Sequence, residues 1–248
     1  MMSRYGLGFI TDEHLFTHVK ETVEKYRFNI DLKTFNKNLI DPIKLTFDSK
    51  IYGKTLEETI ELEIIRQMDK SNTNHIGYFH QNIFKYIDGE WTVPSQGFDL
   101  VNENQKIYVE VKNKHNTMNS SSAQKTYIAM QNKILKGADV TCMLVEVIAK
   151  QSQNIPWKIS INSEQFVHDN IRRVSMDTFY EIVTGKTSAF KNLCEVLPVV
   201  LEDVVKTLEQ ETVKNSVFKE LSQISPNLLK SLYLLSFSKY EGFDALEI

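Results

Sequence analysis

Residues 141–149, TCMLVEVIA, constrain the fold of this chain more than any other segment. The segment is nearly all apolar, and it follows residues 121–137, in which Ala123, Tyr127 and Ile134 lie in helical phase. A strand that is apolar on both faces must be covered on both sides, as in the sheets of α/β proteins. The sequence therefore predicts an α/β fold with a central sheet flanked by helices.

Four shorter runs have the composition of strands. They are GFDLV (97–101), KIYVEVK (106–112), WKISIN (157–162) and IRRVSM (171–176). Only NENQ separates the first two, and its residues favour a turn, so these runs can pair as a hairpin. Together with residues 141–149 they predict a mixed sheet.

Helical spacing of apolar residues predicts helices at 11–28 and 54–70. Thr55 and Glu58 have the spacing of a capping box at the start of the second helix. Residues 177–185 predict a short helix that is capped by Asp177 and ended by Gly185.

From residue 189 to the end, the apolar spacing is helical, with predicted interruptions at Pro198 and Pro226. No linker, repeat or low-complexity stretch divides the 248 residues. We therefore expect one domain, with a helical flank at about 1–70, an α/β core at about 71–185 and a C-terminal helical region at about 186–248.

The net charge of −3 argues mildly against a nucleic-acid partner, but the charges are unevenly distributed. Residues 104–136 contain six lysines and one acid, Glu110, and therefore carry a net charge of +5. Such a segment suits a protein that meets a polyanion on one face, although a solvated basic helix would have the same composition. The two cysteines, far apart in sequence, and the lack of a membrane-spanning apolar run indicate a cytoplasmic protein.

Asp99, Glu110 and Lys112 are the candidate catalytic residues. In a strand at 106–112, Glu110 and Lys112 project to one face with Tyr108. The alternating apolar residues, Ile107, Val109 and Val111, point to the other face and into the core. In a hairpin, Asp99 would lie near Glu110, so that both carboxylates and the Val111 carbonyl could bind one Mg²⁺. A Glu-x-Lys pair on a half-exposed strand is also common as a merely solvated face.

The polar run NKHNTMNSSS (113–122) follows this strand where the chain must turn into a helix. It is either an ordinary capping loop or a loop that contacts DNA phosphates and base edges. Arg172 and Arg173 are adjacent arginines that could read guanine, or a surface pair on a strand edge. The candidate DNA-binding residues are Asn113, Lys114, His115, Asn116, Asn119, Ser120, Ser121, Gln124, Lys125, Arg172 and Arg173.

Asp99, ten residues, and then Glu110-Val111-Lys112 resemble the PD-(D/E)xK nuclease signature, with Phe98 in place of the usual proline. The wider sequence resembles type II restriction endonucleases of the group that cuts GGNCC-like sites. The segments that carry this resemblance are NHIGYFHQ (74–81), WTVPSQGFD (91–99), YVEVKNKHNTMNSSSAQK (108–125), LVEVIAK (144–150) and IRRVSMDTFYEIVTG (171–185).

The resemblance implies a PD-(D/E)xK core with helical N- and C-terminal extensions, all forming one endonuclease domain. It implies Mg²⁺-dependent cleavage of double-stranded DNA at a short GC-rich palindrome such as GGNCC or GGWCC, leaving 5′-phosphates. It also implies a homodimer, because a two-fold site is matched by a two-fold protein, and a cognate DNA methyltransferase as genetic partner. Related nucleases often place an acid on the first core helix, so Glu63 is a candidate further metal ligand, or a solvated acid paired with Gln67.

Two alternatives remain open from the sequence. A repair or junction-resolving nuclease would share the chemistry but recognise DNA structure. A non-catalytic DNA-binding protein could retain the same fold without cleavage, although an intact Asp, Glu and Lys set argues against it.

Overall fold

The computed structural model describes residues 4–87, 90–115, 117–137, 139–208 and 214–240. Their contacts group them into two compact units. The first unit comprises the described residues within 1–24 and 75–209, and the second those within 25–74 and 210–248. The expectation of one endonuclease domain stays a prediction.

The helices of the described residues are α1 (Asp12–Val23), α2 (Leu32–Asn36), α3 (Pro42–Ile51), α4 (Leu56–Asn82), α5 (Ser120–Lys136), α6 (Met176–Thr184), α7 (Ala189–Thr207), α8 (Val217–Ile224) and α9 (Leu228–Phe237). The strands are β1 (Asn29–Ile30), β2 (Leu100–Asn102), β3 (Ile107–Lys114), β4 (Thr141–Ile148), β5 (Asn154–Pro156), β6 (Ile159–Ile161), β7 (Glu164–Phe166), β8 (Ile171–Ser175) and β9 (Lys214–Asn215). None of these helices is long and apolar enough to cross a membrane.

The first unit contains a five-stranded mixed sheet with the order β2-β3-β4-β8-β5. Strands β3, β4 and β8 are parallel, and β2 and β5 pair antiparallel at the two edges. The central strand β4 is buried from Cys142 to Glu146, which confirms the prediction from its apolar run. Pro156 lies in the edge strand β5, where a missing N–H is tolerated.

Helices cover both faces of this sheet, as predicted. Val109 and Val111 of β3 pack on the side of α1, α6 and α7, in a core that also contains Val145 and Val174. Tyr108 and its neighbours pack on the other side, against Tyr127 and Met130 of α5. The alternation of β3 therefore places Glu110 and Lys112 on the α5 side of the sheet.

Several boundaries differ from the sequence predictions; helix α1, for example, ends at Val23 and not at residue 28. Residues 157–162 contribute only β6, which pairs with β7 in a separate two-stranded sheet. Helix α6 begins at Met176 with Ser175 as its N-cap residue, so Asp177 lies in the first turn; Gly185 ends the helix in the left-handed conformation, as predicted. Helix α4 extends twelve residues past residue 70, to Asn82.

The predicted interruption at Pro198 is wrong, because α7 continues through this residue. Leu193, Val200 and Val204 are fully or nearly fully buried along α7. Packing of this apolar face outweighs the backbone hydrogen bond that a proline removes. Pro226 lies between α8 and α9, as predicted.

The second unit has its own core. Strands β1 and β9 pair in parallel, and buried residues from α2, α3, α4, α8 and α9 pack together, among them Phe35, Ile60 and Leu232. The capping box at the start of α4 is confirmed: Thr55 N–H donates to Glu58 Oε2 at 2.8 Å, and Glu58 N–H donates to Thr55 Oγ1 at 3.1 Å.

Candidate active site

The β2–β3 hairpin brings Asp99 to Glu110. Leu100 is opposite Val109 in the antiparallel ladder, so the next pair along the register is Asp99 and Glu110. The tight turn is supported by Asn102, whose Oδ1 accepts from the N–H of Gln105 at 2.9 Å. The hairpin predicted from two short runs and a polar turn is therefore confirmed.

Glu110 and Lys112 form a close ion pair on the same face of β3. Lys112 Nζ donates to Glu110 Oε1 at 2.6 Å. The two side chains are 20% and 28% exposed, so they are sheltered by the fold but open to a ligand. The attraction in this pair is stronger than in a fully solvated Glu-x-Lys pair, since partial burial lowers the screening between the charges.

Asp99 is held against the same strand. Its Oδ2 accepts from the backbone N–H of Val111 at 2.8 Å. Burial raises the pKa of Asp99 above its ordinary value, and the neighbouring Glu110 carboxylate raises it further. The Val111 N–H and the Lys112 cation act in the opposite direction without cancelling this rise.

These residues fit a hard divalent cation. Two carboxylates face each other across the hairpin, and their mutual repulsion would be relieved by a positive ion between them. The N–H and the carbonyl of a strand residue point to the same side, so the Val111 carbonyl is directed towards Asp99 as well. Within the described residues, no group of three or more His, Cys, Asp or Glu side chains could hold a metal. One or two carboxylates, completed by water and a substrate phosphate, are a common set for Mg²⁺.

Glu63 belongs to the second unit, on α4, whereas Asp99 and Glu110 belong to the first. Arg66 donates to both of its carboxylate oxygens at 2.6 Å, and Gln67 donates to Oε1 at 3.0 Å. The pairing with Gln67 that the sequence suggested is therefore present. A metal role for Glu63 stays a prediction, and it would require the carboxylate to give up these bonds.

Sequence reasoning missed Glu146, which lies on β4 directly beside Lys112 in the parallel register. Its side chain is only 1% exposed; its carboxylate accepts a hydrogen bond from Arg173 Nη2 and lies 3.1 Å from His115 Nδ1. Burial acts to raise the pKa of Glu146, but Arg173 and His115 together outweigh it and hold the pKa below its ordinary value. The sequence did indicate this contact, because Glu146 is a lone acid in an apolar strand and a buried charge needs a partner.

The 113–125 segment lies at the end of β3 and the start of α5. Asn119 is the N-cap of α5, and its Oδ1 accepts from the Ser122 N–H at 2.8 Å. Gln124 Nε2 contacts the Ser160 carbonyl at 3.5 Å, and Asn113 is partly exposed. Asn116 lies outside the described residues. Among the candidate DNA-binding residues of this segment, the exposed ones are Lys114, Asn119, Ser120, Ser121 and Lys125.

Arg172 and Arg173 point to opposite faces of the sheet, as adjacent strand residues must. Arg173 contacts Glu146 and His115 on the α5 side. Arg172 donates to the side chain and the carbonyl of Asn154 at the sheet edge. The two arginines therefore do not form one reading surface.

The sequence that forms this site is similar to those of known restriction enzymes. The family model described as Eco47II restriction endonuclease matches residues 7–206. The type II restriction enzyme Sau96I of Staphylococcus aureus is 33% identical over 236 residues, covering 90% of this chain and 90% of that protein. The type II restriction enzyme Eco47II of Escherichia coli is 31% identical over 211 residues, covering 80% of this chain and 88% of that protein.

Family membership favours the restriction interpretation over a repair nuclease and over a non-catalytic DNA-binding protein. The matched region includes the whole β2–β3 hairpin and the Glu146 strand. The chain belongs to the Eco47II restriction endonuclease family and is a type II site-specific deoxyribonuclease.

Proposed function

We propose that this restriction endonuclease is a PD-(D/E)xK enzyme that cleaves double-stranded DNA with Mg²⁺ at Asp99, Glu110 and Lys112. The observation that carries the proposal is the facing pair of Asp99 and Glu110 on one hairpin, with Lys112 2.6 Å from Glu110 on the same strand face. The spacing of these three residues along the chain supports it independently, through the resemblance to the superfamily signature.

Asp99, Glu110 and the Val111 carbonyl would hold Mg²⁺. Bound there, the ion supplies Lewis-acid stabilisation of the charge that develops on the phosphate oxygens. Glu110 fixes the ammonium group of Lys112 beside this position. From there Lys112 orients the attacking water and offsets negative charge at the phosphate, and hydrolysis leaves a 5′-phosphate.

The target we propose is a short GC-rich palindrome such as GGNCC or GGWCC. The polar 113–125 segment would meet the DNA, because it continues directly from the strand that carries Glu110 and Lys112. Exposed Lys114 and Lys125 make no ion pair within the described part of the chain and are available for phosphates. Arg172 remains a candidate contact at the sheet edge.

A palindromic target calls for a homodimer, in which each subunit cuts one strand. An exposed apolar stripe on α3 supports this: Ile43, Phe47 and Ile51 lie at four-residue spacing and are 49%, 62% and 69% exposed. Three large apolar side chains exposed along one helix are typical of an interaction surface. The genetic partner would be a DNA methyltransferase that protects the same site, and the expected compartment is the cytoplasm.

Sequencing the ends of the cleavage products tests this proposal. Plasmid DNA incubated with the protein and Mg²⁺ should give discrete fragments whose ends share one GC-rich palindrome and ligate without prior phosphorylation. Ends at unrelated sequences, or ends that lack a 5′-phosphate, would contradict the proposed site and product.

A further inference from the structure

A buried charged cluster lies on the same sheet face as Glu110 and Lys112. Its members are Glu146, Arg173 and His115, hereafter the Glu146 cluster. Arg173 Nη2 contacts both the Glu146 carboxylate and His115 Nδ1, the latter at 2.6 Å. The side chain of Glu146 is 1% exposed, whereas those of Arg173 and His115 are 21% and 18% exposed.

The register places this cluster next to the proposed cleavage centre. Glu146 is paired with Lys112, and Arg173 is paired with Leu144, which is itself paired with Glu110. Neighbouring strands are about 5 Å apart, so Arg173 is two strands, or roughly 10 Å, from Glu110. His115 follows directly after β3, and its N–H donates to the Ile148 carbonyl at the end of β4 at 2.8 Å.

Stability alone is a weak reason for such a cluster. A buried ion pair costs desolvation, and apolar residues of similar volume often serve stability equally well. The guanidinium is also incompletely used: Arg173 Nε is buried without a hydrogen-bond partner among the described residues. Within the same residues, neither Arg173 Nη1 nor His115 Nε2 makes a hydrogen bond. The cluster therefore holds two side chains in place and leaves Arg173 Nη1 and His115 Nε2 available to a ligand.

We propose that Glu146 is a positioning residue that fixes Arg173 and His115 as a contact for a DNA phosphate beside the cleaved bond. Recognition of a phosphate suits this site better than recognition of guanine. A bidentate guanine contact needs an extended Arg fork in the major groove, whereas Arg173 is held on the sheet by Glu146. A phosphate needs only one or two donors directed at it. This inference rests on the proposed function, because it takes the hairpin as the cleavage centre.

A charge-neutral double variant tests the inference. Glu146→Gln alone leaves Arg173 without its buried counter-ion and should lower the Tm. Glu146→Gln combined with Arg173→Gln removes both charges and should recover most of that Tm. We expect cleavage by the double variant to remain at least about tenfold slower than that by the wild type, because a charged hydrogen bond is lost. A double variant that regains both the Tm and the cleavage rate would reduce the cluster to a structural role.

The salt dependence of DNA binding gives a readout that needs no cleavage. Binding of a short duplex, measured in EDTA over a range of salt concentrations, should lose about 0.9 in log–log slope when one phosphate contact is removed. We expect this loss in the double variant and not in the control Glu195→Gln, an exposed residue of α7. An unchanged slope in the double variant would overturn the phosphate contact.

Two further variants keep the test decisive. His115→Gln leaves the Glu146–Arg173 ion pair intact, so it should keep the wild-type Tm while weakening duplex binding and cleavage. Normal binding and cleavage would refute the inference even if the double variant does not fold. Glu110→Gln should slow cleavage at least about 10²–10³-fold and keep the slope. Cleavage at the wild-type rate by Glu110→Gln would reject the proposed centre, and the slope measurement would still test the phosphate contact of the Glu146 cluster.

Discussion

Replacement of Asp99 by asparagine should separate the stability of the fold from the chemistry of the site. The asparagine side chain would keep an acceptor for the Val111 N–H and lose the negative charge. Because the folded pKa of Asp99 is raised by burial and by Glu110, its ionised form opposes folding at neutral pH. We therefore expect Asp99→Asn to have an equal or higher Tm and to lose cleavage.

Added Mg²⁺ gives this prediction a magnitude. A ligand that binds only the folded state, at ten times its dissociation constant, adds about 1.4 kcal/mol to the free energy of unfolding. In a chain of this size, that corresponds to a rise in Tm of roughly 3–6 °C. Asp99→Asn removes one of the two carboxylates that would hold the ion, so its Tm should respond little to Mg²⁺.

The measurement is the Tm by thermal denaturation, with and without Mg²⁺. It compares the wild type, Asp99→Asn and the surface control Glu195→Gln. The control should show the same Mg²⁺ response as the wild type, since Glu195 lies in an exposed i,i+4 pair with Lys191. An equal Mg²⁺-induced rise in Asp99→Asn would refute a metal site at this carboxylate. A strongly lowered Tm without Mg²⁺ would refute the electrostatic reasoning.

Two further predictions concern stability and assembly. Burial lowers the pKa of His80 to about 4, so the folded state resists a proton that the unfolded chain accepts below about 6.5. The free energy of unfolding should thus fall by about 2 kcal/mol between pH 7.5 and pH 5 because of His80. Urea titrations of His80→Leu should lack this contribution to the fall. If the variant shows the same pH dependence as the wild type, the assignment to His80 is wrong. Phe47→Lys, in the exposed stripe of α3, should shift the protein towards monomer in analytical ultracentrifugation. The control Glu57→Lys, at an exposed residue of α4, should not. A Phe47→Lys protein that remains dimeric would place the interface elsewhere.

The parts of the fold that were predictable have strong local patterns. The apolar run of β4 and the helical phase of α5 identify these elements without any tertiary contact. Pro198 misled the prediction because a local breaking signal was overridden by burial of the rest of α7. The assembly of the second unit was not predictable, since two-residue strands carry no pattern, and β1 pairs with β9 across more than 180 residues.

The candidate site likewise has a part that local sequence patterns predict and a part that they do not. Asp99, Glu110 and Lys112 lie within fourteen residues, and strand alternation with one turn is enough to bring them together. The Glu146 cluster joins three elements, with Glu146 31 residues from His115 and 27 from Arg173. Strand register decides such a contact. The sequence indicated it only weakly, through a single acid among apolar residues.

The most direct test of the central claim is the cleavage rate of plasmid DNA by wild type and Glu110→Gln under single-turnover conditions. Wild type with Mg²⁺ should produce discrete fragments and should be inactive in EDTA. Glu110→Gln should fold with a near-normal Tm and cut at least about 10²–10³-fold more slowly, the loss expected when one group that stabilises transition-state charge is removed. Discrete fragments at the wild-type rate from Glu110→Gln, or cleavage that persists in EDTA, would contradict a Mg²⁺-dependent centre at Asp99, Glu110 and Lys112.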